Sequence, residues 1–205
     1  MKIVTLGDSL TVGIQAESHP THHDECTSYP RYLEILAEKR LGNRQSAVKV
    51  KVVNRGICGD LTSGMLSRFV RDVVMEKPNC VIILGGTNDI GWNMDPTMIV
   101  RNLGMMYDAS QCKDIMPVAC TVPSILGYDE LISPRLRLNR MIRTKAEKRR
   151  IAFVDLFAAT ADLQTNRLLV QYSADGLHLN GEGYRRVGQY IFDKWLSELL
   201  EKYAE

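Results

Sequence analysis

The chain has 205 residues, 45% of them hydrophobic and 24% charged, with 26 basic against 24 acidic side chains and a formal net charge of +2. Such values are ordinary for a globular protein, and the length suffices for a single domain over residues 1–205 with one large core. They exclude a specialist in binding polyanions, so nucleic acid is not an expected partner, and no apolar run approaches the roughly 20 residues that a transmembrane segment needs.

Short β-rich runs alternate with longer amphipathic stretches along the whole sequence. The pattern predicts strands over 2–6, 48–54, 80–84, 115–121 and 151–154, with helices over about 28–41, 60–76, 96–110 and 133–149 between them. The runs Ile3 to Leu6 and Cys80 to Leu84 are continuously apolar rather than alternating, as in parallel strands covered by helices on both faces. An α/β fold with three α/β/α layers follows. From Gly181 to Ala204, the residues Tyr184, Val187, Ile191, Trp195 and Leu199, with Leu196 and Leu200 beside them, have helical spacing and predict a core-facing closing helix. Tyr190 and Trp195 are read as core, and the basic run Lys145 to Arg150 as a solvated helix end.

The five cysteines, Cys26, Cys58, Cys80, Cys112 and Cys120, are odd in number and lack CxxC spacing, so neither a disulfide framework nor a zinc ribbon is indicated. Met1 runs directly into a core strand with no export signal ahead of it, and a cytoplasmic location with reduced thiols is expected.

The turns that follow the strands carry the chemistry. In Leu6-Gly7-Asp8-Ser9-Leu10 a serine stands between the first strand and the next turn, where open α/β folds collect ligands and where the first helical N–H groups face developing negative charge. Taken alone, the same residues make an ordinary turn and N-cap. After the second strand, Gly59 in Asn54-Arg55-Gly56-Ile57-Cys58-Gly59-Asp60 can bring its N–H close to a substrate; after the third, Gly85-Gly86-Thr87-Asn88-Asp89 can project the Asn88 amide inward. Late in the chain Asp175-Gly176-Leu177-His178 sets a carboxylate three residues before an imidazole. These parts suit acyl transfer. Ser9 would attack a carbonyl, His178 would carry its proton, Asp175 would orient the imidazole, and the N–H groups of Ser9 and Gly59 with the Asn88 amide would form an oxyanion hole. Asp8 is the alternative carboxylate partner for the base, with a role in bracing the turn otherwise.

In order and spacing, these four blocks resemble the SGNH hydrolases, also called GDSL esterases or lipases. Gly7-Asp8-Ser9-Leu10 looks like the nucleophile block, Gly59 the glycine block, Gly86-Thr87-Asn88-Asp89 the asparagine block and Asp175-Gly176-Leu177-His178 the Asp-x-x-His block. The resemblance implies a flavodoxin-like parallel sheet of about five strands and a serine esterase that needs no cofactor and no metal. It favours Asp175 over Asp8 as partner of His178. The expected substrate is a small-molecule or lipid ester with a short acyl chain. Lysophospholipase, acyl-thioesterase and carbohydrate acetylesterase activities stay open within the family, although an aromatic share of 7% disfavours a carbohydrate groove.

Residues Gln15 to Tyr29 look like an insertion that rims the site. His19, His22, His23, Asp24, Glu25 and Cys26 within it invite a metal-site reading, but their spacing matches no standard site. Trp92, Ile125 and Leu126 are expected to line an apolar pocket, and Cys58 to be a small buried packing residue. The competing readings are a flavodoxin-like module that binds a small ligand, against which stands the absence of GxGxxG after the first strand, and a metal-binding protein organised on residues 19–26.

Overall fold

The computed structural model describes residues 1–15, 28–42 and 49–204. Five strands, β1 Lys2–Gly7, β2 Lys51–Gly56, β3 Cys80–Leu84, β4 Met116–Cys120 and β5 Ala152–Val154, form one sheet in the order β2-β1-β3-β4-β5, and every neighbouring pair is parallel. The expected α/β architecture is present. All five residues of β3 and Ile3 to Gly7 of β1 are buried, which is why both strands are apolar without alternation. At the sheet edge, β2 leaves Lys51 and Asn54 exposed, so polar side chains are tolerated there.

The helices are α1 Ser9–Val12, α2 Tyr29–Gly42, α3 Thr62–Ser67, α4 Phe69–Asp72, α5 Thr87–Gly91, α6 Pro96–Gln111, α7 Ile132–Arg149, α8 Leu156–Thr160, α9 Gly181–Ile191 and α10 Ser197–Ala204. The start of α6 follows from Asp95, whose side chain accepts the Thr97 N–H at 2.7 Å, and from Pro96 in its first turn. Its inner stripe is Ile99, Leu103, Met106, Tyr107 and Ser110. Helices α2 and α9 pack on each other, as do α3, α6 and α7, and the sheet between them contributes the rest of a continuous apolar cluster. Burial of each large aliphatic side chain, such as Ile82 or Ile83, stabilises the fold by roughly 1.5–3 kcal/mol. Among the described residues no helix is long and apolar enough to cross a membrane.

The structure differs from the sequence pattern in three places. The helix expected over 60–76 is broken into α3, α4 and a 3-10 turn, Val74–Glu76, with the first break at Arg68 (φ −96°, ψ 1°). There the guanidinium is held by four acceptors: Nε donates to Asp60 Oδ2 (2.7 Å), Nη1 to Asp72 Oδ2 (2.8 Å) and the Arg55 carbonyl (2.9 Å), and Nη2 to the Gly7 carbonyl (2.9 Å). Second, the closing helix contains a π segment, Phe192–Leu196, that shifts its inner face, so that Leu196 and Leu200 are fully buried and Leu199 only partly. Third, α1, α5 and α8 are too short to produce a periodic signal and are absent from the predicted elements.

The Arg68 contacts join the ends of β1 and β2 to the glycine-bearing turn, and removing the cation strands Asp60 in a part-buried position. Arg68→Met is therefore expected to lower stability by roughly 3–5 kcal/mol in urea unfolding at pH 7, with part of the loss recovered by adding Asp60→Asn.

Candidate active site

All the site blocks but one follow directly from the carboxyl ends of adjacent strands. Asp8 N-caps α1, its Oδ1 accepting the Leu10 N–H at 3.0 Å, while its carbonyl accepts from Thr11 and Val12. Ser9 is thereby the first helical residue, and its N–H has no partner within the helix. Its side chain is just reachable, at 9% exposure.

The loop ahead of α9 brings the histidine to it. Ser9 Oγ lies 3.1 Å from His178 Nε2, and His178 Nδ1 lies 2.8 Å from Asp175 Oδ2. With Nδ1–H donating to the carboxylate, Nε2 is left as the acceptor for the serine hydroxyl. Asp175 Oδ1 accepts the N–H groups of Leu177 (2.8 Å) and His178 (2.7 Å), so the carboxylate folds its own loop around itself. Burial acts to raise the Asp175 carboxyl, but the hydrogen bonds from the imidazole and from these two N–H groups outweigh it and hold the group below its ordinary value. It is ionised at neutral pH. Gly176 adopts φ +80°, and a Cβ there would stand 2.1 Å from the Leu126 carbonyl oxygen, so this turn requires glycine twice over.

Gly59 and Asn88 meet through the backbone of the glycine-bearing turn. Asp60 N–H donates to the Ile57 carbonyl (3.2 Å), and Gly59 has φ +72° within that turn, with open space where a Cβ would lie. The glycine serves backbone conformation rather than close packing. One N–H of the Asn88 amide donates to the Asp60 carbonyl at 3.0 Å, which fixes the orientation of the amide and leaves its second N–H available. Asp89, fully buried, accepts from the Thr62 N–H (3.0 Å) and hydroxyl (2.6 Å), so the asparagine block is tied to the start of α3.

Beside these groups opens a cleft of about 400 Å³, lined by Thr87, Asn88, Trp92, Ile125, Arg135 and Asp175 among others. Of the three residues expected to line a pocket, Trp92 stands at its rim with 76% exposure and Ile125 forms buried wall. Leu126 packs against the core instead, and its N–H donates to the Gly176 carbonyl (2.9 Å). Cys58 was expected to be buried and is exposed: it occupies the outer corner of the Ile57–Asp60 turn at the sheet edge, where the chain reverses into solvent. Tyr29, at the end of the inserted stretch, is buried with its hydroxyl 3.2 Å from Thr11 Oγ1. The possible ligands His19, His22, His23, Asp24, Glu25 and Cys26 lie outside the described residues, and among the described residues no group of three or more His, Cys, Asp or Glu could hold a metal ion.

Sequence reasoning missed two supports of this site. Ser173 Oγ donates to the His178 carbonyl (2.7 Å) and accepts the Gly176 N–H (2.9 Å), closing the loop; the only signal was a serine two residues before an Asp-Gly turn. Arg68 had no signal at all, since its place in a helical stretch suits a solvated residue equally well.

Fold and site together define the class, a three-layer α/β protein with a linked serine, histidine and carboxylate at the carboxyl edge of its sheet. The GDSL-like Lipase/Acylhydrolase family matches residues 5–186, and the chain belongs to that family. Among solved structures, the lipase/acylhydrolase from Enterococcus faecalis is similar at 26% identity, with 96% of each chain covered and a TM-score of 0.72. A GDSL-like lipase from Bacteroides thetaiotaomicron is similar at 23% identity, with 98% of this chain and 88% of that one covered and a TM-score of 0.73. An acetyl xylan esterase from Geobacillus stearothermophilus shares 21% identity over 94% of this chain and 93% of its own, with a TM-score of 0.77. No curated protein matches the chain by sequence.

Asp8 differs from Asp175 in its surroundings. Burial pushes its carboxyl up to about 7; the Leu10 N–H and the charge of His178 oppose the rise, while that of Asp89 adds to it. Between pH 4 and 7 the native state thus holds a proton that the unfolded chain has released, and stability falls as pH rises through that window. In urea unfolding, the wild type is expected to lose stability from pH 5 to pH 8 relative to Asp8→Asn, which cannot ionise; parallel pH curves for the two proteins would contradict a buried, proton-holding Asp8.

Proposed function

We propose that the protein is a serine esterase that cleaves carboxylic esters with short acyl chains through an acyl-enzyme. Ser9 Oγ attacks the ester carbonyl as its proton passes to His178 Nε2. Collapse of the tetrahedral adduct breaks the bond to the alcohol oxygen, which leaves with that proton. Water then attacks the acyl-enzyme, His178 takes the water's proton and returns it to Ser9 Oγ, and the carboxylic acid is released. Asp175 keeps the Nδ1–H tautomer and stabilises the imidazolium formed at each step. The N–H groups of Ser9 and Gly59 and the free N–H of the Asn88 amide receive the oxyanion.

The observation that carries this reading is the unbroken path from Ser9 Oγ to His178 at 3.1 Å and on to Asp175 at 2.8 Å. Membership of an acylhydrolase family agrees with it. A cleft of about 400 Å³, walled by Ile125 and open at Trp92, supports a small acyl group rather than a long chain. A binding module without chemistry would have no use for a hydroxyl aligned on an imidazole that a carboxylate already orients.

The test is hydrolysis of p-nitrophenyl esters from acetate to palmitate, with and without EDTA. We expect activity greatest on the shortest chains and unaffected by EDTA, a loss on the order of 10⁴-fold or more in kcat for Ser9→Ala, and a loss of roughly 100- to 1,000-fold for Asn88→Ala. Activity that survives Ser9→Ala would overturn the mechanism.

A further inference from the structure

Helix α7 carries two polar residues on its buried stripe, Arg135 and Asn139, beside Leu138, Ile142 and Ala146. Asn139 is held at both ends of its amide: its Oδ1 accepts the Val122 N–H (2.9 Å) and its Nδ2 donates to the Val122 carbonyl (3.0 Å). Arg135 is not. It is 1% exposed, and among the described residues its one hydrogen bond is a long one, from Nη1 to the Leu131 carbonyl at 3.3 Å, while Nε has no partner. No carboxylate among the described residues is within ion-pairing distance of it. The acid that acts on it through space is Asp8, whose own carboxyl burial drives towards the neutral form. The first turn of α7 adds nothing favourable, because a helix N-terminus disfavours a cation. Burial lowers the guanidinium to about 10, so the group still carries its charge at neutral pH.

A buried, uncompensated cation is costly unless something satisfies it. Arg135 lines the cleft that also contains Asn88 and Asp175, and a second orphan, the buried Thr87 hydroxyl, belongs to a residue that lines the same cleft. The other charge there, Asp175, has both oxygens engaged by His178 and Leu177 and does not reach Arg135.

We propose that Arg135, with Thr87, is an anion receptor within the substrate cleft, and that the ester this protein hydrolyses carries a carboxylate or phosphate group close to the scissile bond. The proposal rests on the esterase reading and narrows its substrate to anionic esters. A guanidinium presents forked donors that match either oxyanion, and a buried one binds it without competition from water. The anion sits on the acyl side or on the alcohol side of the ester, and two pairs of substrates separate these cases.

The experiment compares kcat/KM for p-nitrophenyl hemiglutarate against p-nitrophenyl valerate, and for 4-acetoxybenzoate against phenyl acetate, in the wild type, Arg135→Met and Arg135→Lys. In one of the two pairs the wild type is expected to prefer the anionic ester, and Arg135→Met to lower the ratio of anionic to neutral ester by about 10- to 100-fold, with partial recovery in Arg135→Lys. A ratio that Arg135→Met leaves within about twofold in both pairs overturns the proposal. Calorimetric titration of glutarate and inorganic phosphate into Ser9→Ala and into Ser9→Ala/Arg135→Met makes the result independent of turnover. Binding of either anion that the second substitution abolishes supports the receptor, and equal binding by both proteins, or binding by neither, overturns it. Unfolding in urea removes the remaining ambiguity: a receptor predicts that Arg135→Met is at least as stable as the wild type, and a purely structural arginine predicts a less stable variant. Failure of the esterase reading would show instead as activity that survives Ser9→Ala, whatever Arg135 does.

Discussion

The Arg68 guanidinium is the interaction on which the geometry of the site depends. It donates to the carbonyl at the end of β1, the carbonyl near the end of β2, the side chain of Asp60 in the glycine-bearing turn and Asp72 in α4. Gly7, the residue whose carbonyl it holds, is two positions before Ser9, and the same carbonyl also accepts the Ile57 N–H at 3.0 Å. The carbonyl of Asp60, in turn, accepts from Asn88. One buried cation thus sets the distance between the serine turn and the groups that would meet a developing negative charge. Hydrogen bonds to a charged group are about twice as strong as neutral ones and hold their geometry correspondingly well.

A second set of constraints fixes the histidine. The loop 173–178 has little regular structure, yet nearly every polar group in it is used internally: Ser173 closes it from one side, the Asp175 carboxylate from the other, and Leu126 clamps Gly176. Such a loop behaves as a rigid element although it is neither helix nor strand, and its tip can hold an imidazole within hydrogen-bond reach of a hydroxyl 169 positions away in the chain. The two aspartates near the imidazole show how surroundings divide labour between identical side chains. Asp175, rich in donors, stays ionised beside His178; Asp8, buried with an unpartnered oxygen, tends to the neutral form and serves as the cap of α1. A neutral Asp8 also spares the site a second negative charge that would draw on the same imidazolium.

Much was legible in the sequence because its signals are local. Continuous apolar runs marked β1 and β3, the period of Ile99, Leu103 and Met106 marked α6, and four short blocks marked a family; each depends on neighbours a few residues apart, where backbone geometry leaves few options. The reading failed where a distant contact overrode a local tendency. Arg68 interrupts a helix that periodicity would continue, the π segment turns the end of the closing helix, Leu126 leaves the pocket to hold a glycine, and Cys58 is turned outward by a corner at a sheet edge.

The sequence by itself determined the class of fold, the family, and which serine, histidine, aspartate and asparagine are the candidates for the site, because strand and helix periodicity and the spacing of short blocks are properties of the chain. Only the tertiary structure decided that Ser173 closes the histidine loop, that Asn88 is aimed by the Asp60 carbonyl, and that Arg135 is buried in the cleft without a counter-charge. Those outcomes are set by distances between residues, and by how much water each charged group keeps. Neither quantity exists until the sheet, its helices and the loops at its carboxyl edge have packed together.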